Sequence, residues 1–395
     1  MTLVAADLPP PGDDARAASA ALGAIIAAEI AARGGWIPFA RYMELALYQP
    51  GLGYYAGGSH KFGDHHAGGD FLTAPELTPL FGRALARQVA QVLAASTPQV
   101  IEAGAGSGRL AIDLLAGLDA LGCLPERYRI LELSGELRAR QQAMLAAQAP
   151  QYAGRVEWLD ALPERFSGCL VGNEVLDAMP THVVHWSGDG SEVMEGGVSM
   201  VDGRLVASER PARGALLEAA RALPHAAPYS GEISLAVRAW VSHLSRRLEQ
   251  GAMILIDYGL PRHELYHPQH DGGTLRCHYR HRVHDDPFWF PGLSDITSHV
   301  DFTAVAEAGF DAGLEVLGYA SQSNFLLNCG IGDVLQEGKV GAGDTASAVD
   351  LRARGAVNVL ISPNEMGELF KVIALGRGVP GPLLGFARGD RVHAL

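Results

Sequence analysis

Cysteine, charge and long apolar runs are all in short supply in this 395-residue chain. Its four cysteines, Cys123, Cys169, Cys277 and Cys329, are too few for a disulfide scaffold and too scattered for a zinc ribbon or a Cys-x-x-Cys redox centre. Charged residues make up 19% against 48% apolar ones, which excludes the composition of a disordered chain. Acids outnumber lysine and arginine by 44 to 31, for a formal charge of −13, and no basic patch stands out. Such a chain repels phosphate backbones, so no nucleic-acid partner is expected. No apolar run approaches a membrane span, and the opening residues, with Asp7, Asp13 and Asp14, lack the basic and apolar segments of a secretory signal. A cytoplasmic chain without a membrane span is the expectation. Internal repeats and low-complexity blocks are also lacking.

What remains is a chain longer than one usual domain, with a clear change of rhythm near its first quarter. Residues 1–97 read as a tail and a helical region; Leu22, Ile25, Ile26 and Ile30 recur at helical spacing before Gly34-Gly35. From residue 98 short apolar runs ending in glycine or acid alternate with longer helical stretches, the pattern of an α/β fold with a mainly parallel sheet. Strands are predicted at 100–103, 129–133, 156–159, 168–172, 252–257, 315–320 and 370–375. Seven such strands form a Rossmann-like sheet. Two insertions interrupt this core, a hairpin at about 181–228 and a loop or lid at about 259–300.

The segment from Val100 to Leu115 holds a buried strand, the turn Glu102-Ala103-Gly104-Ala105-Gly106-Ser107-Gly108 and an amphipathic helix. Glycines permit close backbone approach, and a helix N-terminus presents unpaired N–H groups to an anion. A dinucleotide fingerprint places its third glycine at the sixth position, which here is Arg109; the third glycine is Gly108, at the fifth. This spacing favours S-adenosylmethionine over NAD. Glu132, ending the second predicted strand, is placed to accept ribose hydroxyls, although NAD would use a similar acid. Asp160, after the third strand, is a candidate for the adenine amino group or for a helix N-cap.

Ligands of open α/β sheets sit beyond the carboxyl ends of the strands. Asn173 and Glu174 fall at such an end, where a carboxylate could hold a guanidinium through paired hydrogen bonds with Asn173 positioning it. The competing structural account makes Asn173 a helix N-cap and Glu174 a first-turn acid.

Several stretches together resemble the MidA family: Trp36 to Tyr48, Pro50 to Tyr55, Gly69 to Glu76, the glycine turn, Asn173 to Ala178, Ile256 to Gly259, Gly273 to Tyr279 and Asp295 to Phe302. The resemblance covers nearly the whole chain after the first 20 or so residues. It implies a class I S-adenosyl-L-methionine-dependent methyltransferase whose mitochondrial members act in respiratory complex I assembly, methylating an arginine of a complex I subunit; organellar relatives would work in the mitochondrial matrix. It further implies that Gly69, Asp70, Thr73 and Glu76 lie near the cofactor, with Glu102, Gly104, Gly106, Gly108 and Glu132. On the substrate side the candidates are Asp177, Arg276, His278 and Tyr279; Arg276, His278 and Tyr279, with Arg280, line a channel or hold a lid closed, and polar packing of a long loop accounts for these four equally well.

Seven histidines crowd the second insertion, but their spacing matches no ligand motif and methyl transfer needs no metal, so no metal site is expected. Three functions follow: a protein arginine methyltransferase, a methyltransferase for another protein or small-molecule nitrogen or oxygen nucleophile, and an assembly chaperone that binds the cofactor without essential catalysis.

Overall fold

The computed structural model describes residues 8–57, 73–188, 192–223, 228–337 and 348–395. The chain forms two compact units, and each is assembled from separated segments. One comprises Met1–Phe71, Leu176–Trp240 and Leu260–Asp301; the other comprises Leu72–Val175, Val241–Gly259 and Phe302–Leu395. The division therefore does not follow a single cut at residue 97. Both insertions cluster with the N-terminal region, whereas the helix Pro79–Ala94 packs with the sheet unit.

The sheet unit is built on β1 (Gln99–Ala103), β2 (Arg127–Leu131), β3 (Val156–Leu159), β4 (Phe166–Asn173), β5 (Leu248–Leu260), β6 (Glu315–Ser321) and β7 (Phe370–Arg377). Their order is β6-β7-β5-β4-β1-β2-β3, and all seven predicted segments lie on this path. Strands β5, β4, β1, β2 and β3 run parallel, while β7 is antiparallel to both its neighbours. Central strands covered on both faces should be apolar almost throughout, and β4, β5 and β7 are. Strand order reverses at β1 and β4, so the carboxyl ends of these two strands border the crevice where ligands of such sheets bind.

In the other unit the first helix, Asp13–Ala32, buries Leu22, Ile26 and Ile30 and leaves Ile25 36% exposed. It closes as the glycines predict, with Gly34 and Gly35 at positive φ and the Gly35 N–H bonded to the Ile30 carbonyl. Among the described residues this helix alone is long and apolar enough to cross a membrane. Its apolarity comes largely from alanine, which a search for runs of large apolar side chains overlooks. Leu22, Ile26 and Ile30 pack with Tyr42, Met43, Val198, Cys277 and Ile296 in one core.

The insertion expected as a hairpin is larger. His182–Trp186, Val193–Val201, Arg204–Pro211 and Tyr229–Ile233 form an antiparallel sheet, and Ile37–Pro38 joins its edge opposite Val198 and Gly197. The stretch expected as a loop is also ordered. Arg276–Tyr279, Arg282–His284 and Asp295–Thr297 pair into a three-stranded sheet whose strands are too short to show a period in the sequence.

Candidate active site

At the end of β1 the chain turns through Gly104, Gly106 and Gly108 with φ of 65°, 53° and 89°. L-residues with a Cβ rarely adopt this left-handed backbone, so the three glycines are required by geometry. A Cβ on Gly104 would lie 3.1 Å from Val175 Cγ2, and one on Gly108 would lie 3.2 Å from Gln141 Cγ. The helix Arg109–Ala120 then begins with Gly108 at its N-cap, which supplies no side chain to the first-turn N–H groups. These groups suit a carboxylate. Ser107 donates to Glu76 Oε1 and accepts from the Arg109 N–H at 3.2 Å, which ties the four-residue helix Ala74–Leu77 to the turn. Thr73 stands at that helix's N-cap without a side-chain cap bond. Gly69 and Asp70 lie outside the described residues.

Glu132 sits just past β2 and is 8% exposed. Its Oε1 accepts from the Ser134 N–H at 2.9 Å and its Oε2 from Gln141 Nε2 at 3.0 Å. Burial raises its pKa, and these bonds partly offset the rise. The same Gln141 amide nitrogen donates to the Gly106 carbonyl at 2.9 Å, and Gln141 Oε1 accepts from Trp158 Nε1 at 2.9 Å. Asp160 is almost fully exposed and paired with Arg138 at 2.7 Å. It does not cap a helix, because no helix follows β3.

Glu102 differs from its expected place at the turn. On β1 its side chain points into the core, 2% exposed, and accepts from Tyr128 Oη at 2.6 Å. Strand alternation sends it to the face shared with Val100, away from Ile101 and Ala103. Burial pushes its pKa up to about 7, the Tyr128 hydrogen bond opposes the rise, and the charge of Glu132 adds to it. A carboxyl whose folded pKa lies above its ordinary 4.5 stabilises the fold fully below pH 4.5 and loses that contribution as pH rises to about 7. The loss amounts to roughly 3 kcal/mol at 1.36 kcal/mol per unit. Glu102→Gln mimics the neutral acid, so denaturant unfolding of this variant should vary less with pH between 5 and 8 than that of the parent. An unchanged pH dependence would show that another group governs it.

At the end of β4 the chain enters neither a helix nor a glycine turn. Glu174 adopts φ 52°, left-handed backbone in a residue with a side chain, so the N-cap account of Asn173 and Glu174 does not hold. Three bonds hold the conformation. The Glu174 N–H donates to the Ile256 carbonyl at 2.9 Å, the Val175 N–H donates to Asp257 Oδ2 at 3.1 Å, and Asn173 Nδ2 donates to Glu174 Oε1 at 3.0 Å. Asp257 is fully buried and also accepts from the Tyr258 N–H at 2.9 Å. Asn173 Oδ1 is buried and has no hydrogen-bond partner among the described residues. Val175 lies against Gly104, so this turn and the glycine turn are in van der Waals contact.

The four substrate-side candidates belong to the other unit and do not form one lining. Alternation along Arg276–Tyr279 separates them: Cys277 and Tyr279 are buried, Tyr279 edge-on to Trp289 with centroids 4.7 Å apart, while Arg276 is exposed. Arg276 pairs loosely with Asp285 at 3.7 Å. His278 is held neutral, its pKa pushed down to about 4 by burial and then by the charges of His284 and Arg276. Asp177 is 5% exposed, and its carbonyl accepts from the Ser298 N–H. Cys277 is fully buried with its thiol pKa raised by burial, a packed thiol as expected. Among the described residues no group of three His, Cys, Asp or Glu is arranged to hold a metal ion.

Sequence reasoning missed Gln141 altogether and gave Asp257 no role. The only signal for Asp257 was its place in the Ile256-Asp257-Tyr258-Gly259 motif.

The sheet order, the glycine cradle and the acid-bearing strand ends define a Rossmann-like methyltransferase that uses S-adenosyl-L-methionine. Comparison with known proteins is specific. A family described as S-adenosyl-L-methionine-dependent methyltransferases matches residues 83–320, and the chain belongs to this MidA-like family. A COG1565 superfamily member from Burkholderia thailandensis, solved bound to S-adenosyl-homocysteine, is 54% identical with a TM-score of 0.94, covering 98% of this chain and 100% of that one. Among curated relatives, the mitochondrial protein arginine methyltransferase NDUFAF7 of Danio rerio is 29% identical over 89% of this chain and 85% of its own. The Drosophila melanogaster homologue is 28% identical over 89% and 86%.

Proposed function

We propose that this methyltransferase modifies an arginine side chain of a protein, with Glu174 as the residue that receives the guanidinium. The observation that carries the reading is the strained Glu174 backbone at the mouth of β4, held by Ile256, Asp257 and Asn173. Left-handed backbone in such a residue costs on the order of 1–3 kcal/mol, and strain of this kind collects where a side chain must be aimed. The relatives named as protein arginine methyltransferases support the same target class.

S-adenosyl-L-methionine brings a methyl carbon already activated by its sulfonium, so the protein has mainly to align the acceptor and manage a proton. Gly104, Gly106 and Gly108 would give the cofactor close backbone approach, the N-terminus of Arg109–Ala120 would take its carboxylate, and Glu132 would take its ribose hydroxyls. By the family resemblance Thr73 and Glu76 would lie near the cofactor, Glu76 reaching the turn through Ser107, and Asp160 is the candidate for the adenine amino group. Glu174 accepts hydrogen bonds from the guanidinium and orients one nitrogen toward the methyl group. Guanidinium does not deprotonate in advance at neutral pH; as the C–N bond forms, the methyl carbon's bond to sulfur would break to leave S-adenosyl-homocysteine, and the guanidinium proton would leave then or afterwards, with Glu174 as the acceptor beside it. Asn173 fixes which way the carboxylate faces.

The test is incubation of the purified chain with methyl-labelled S-adenosyl-L-methionine and an extract of cells lacking it, followed by mass spectrometry. Respiratory complex I subunits, the target class of the resembled family, are the first proteins to inspect. Label on arginine is expected. Label only on other residues or small molecules would replace this reading with the second one, a methyltransferase for another nucleophile.

A further inference from the structure

We infer that Gln141 is a cofactor-positioning residue that locks the glycine turn and the ribose-side carboxylate into one frame, and that Trp158 sets its orientation. The inference rests on the reading of Glu132 as the ribose acceptor, and it concerns how that carboxylate is held in place.

Gln141 is 2% exposed in the middle of the helix Gly135–Gln148, a helix of low overall apolarity that buries only Leu137, Gln141 and Leu145. A leucine at this position would pack more cheaply, because a buried primary amide must satisfy two donors and an acceptor or forfeit their hydration. Here each end has a defined task. Trp158 Nε1–H can only donate, and it lies 2.9 Å from Gln141 Oε1. This contact removes the usual ambiguity between amide oxygen and nitrogen. Nε2 is thereby turned toward two acceptors, the Gly106 carbonyl at 2.9 Å and Glu132 Oε2 at 3.0 Å. Those acceptors belong to the two elements that hold different parts of the cofactor. Glu132 Oε1 is meanwhile fixed by the Ser134 N–H, so the whole carboxylate is oriented before any ligand arrives. Gln141 also packs at 3.2 Å from the position a Gly108 Cβ would take, which places its stem against the third glycine of the turn.

If the amide were reversed, its oxygen would face both the Glu132 carboxylate and the Gly106 carbonyl, three acceptors together. Trp158→Phe removes the indole donor with little change of shape, so it permits this reversal without emptying the core. Gln141→Met keeps the length and removes both donors.

The experiment is calorimetric binding of S-adenosyl-homocysteine, and of its analogue lacking the ribose 2′ and 3′ hydroxyls, to the full chain and to four variants. The variants are Gln141→Met, Trp158→Phe, Glu132→Ala and the double variant Gln141→Met with Glu132→Ala. Loss of a hydrogen bond to a charged group predicts about a tenfold to hundredfold weakening of S-adenosyl-homocysteine by Gln141→Met. Trp158→Phe should weaken it several-fold, roughly the effect of one neutral hydrogen bond. Both variants should weaken the dehydroxylated analogue clearly less than they weaken S-adenosyl-homocysteine, because only the Gly106 contact bears on the part of the ligand the analogue keeps, whereas general loosening of the fold would weaken both ligands equally. In the Glu132→Ala background Gln141→Met should weaken S-adenosyl-homocysteine less than it does in the parent, leaving only the part carried by the Gly106 contact. If Glu132→Ala leaves both ligands unaffected, the ribose reading itself fails. If Glu132→Ala discriminates between the ligands but Gln141→Met does not, or if the two substitutions are additive, the positioning role of Gln141 is overturned.

Discussion

Glu174→Gln should reduce methyl transfer by about a hundredfold to a thousandfold, the range for removing a charged group that acts on the reacting atoms. Binding of S-adenosyl-homocysteine should change by less than about twofold, roughly 0.4 kcal/mol, since Glu174 is not among the groups assigned to the cofactor. Glutamine retains the size of the side chain and can still meet Asn173, whose Nδ2 now bonds Glu174 Oε1 at 3.0 Å. It offers neither the charge that pairs with a guanidinium nor a base for its proton. Single-turnover kinetics would show the loss in the chemical step rather than in KM for the cofactor. Transfer at the parental rate would remove Glu174 from the mechanism, and parental function in cells with transfer abolished would favour the chaperone reading.

Gly104→Val should abolish measurable cofactor binding, at least a hundredfold loss, for two independent reasons. A β-branched residue at φ 65° carries a backbone penalty of roughly 1–2 kcal/mol. In addition, its Cβ would press on Val175 Cγ2 at 3.1 Å, and its two methyl groups need space beyond that. Val175 follows directly on Glu174, so the substitution also disturbs the turn that aims the carboxylate. Thermal unfolding without ligand separates a lost site from a lost fold. Gly104→Ala should give an intermediate loss, because it carries the backbone cost with less bulk. Normal affinity in the valine variant would mean that the cofactor does not approach this turn.

The sheet was legible because its strands are short apolar runs with punctuating glycines and acids, and β1, β2 and β3 follow one another at the spacing of βα units. The glycine turn was legible for the same local reason. Legibility ended where a residue's role depends on contacts distant in sequence. Gln141 looks like any helical glutamine until Trp158, Glu132 and Gly106 are seen around it. Ile37–Pro38 is too short to signal a strand, and its partners lie at Gly197 and Val198. Glu102 was placed with the turn because it adjoins the glycines, although period-two alternation already directs it into the core beside Tyr128. The same alternation separates Arg276 from Tyr279. Glu102 lies inside the predicted strand 100–103, whose alternation already turns it inward, whereas Arg276 and Tyr279 lie in a stretch that reads as a loop.

The interleaving of the two units has a consequence for synthesis. The chain passes from one unit to the other five times, at 71/72, 175/176, 240/241, 259/260 and 301/302. Neither unit can therefore finish folding when its first segment leaves the ribosome. Ile37–Pro38 must wait for Gly197 and Val198, about 160 residues later, which at roughly 5–20 residues per second is on the order of ten to thirty seconds. The apolar face of Asp13–Ala32 waits longer still, since Cys277 and Ile296 complete its core. During that interval Leu22, Ile26 and Ile30 form an exposed stripe on a nascent chain, a natural site for a general chaperone, and a stalled or truncated translation product would keep it exposed.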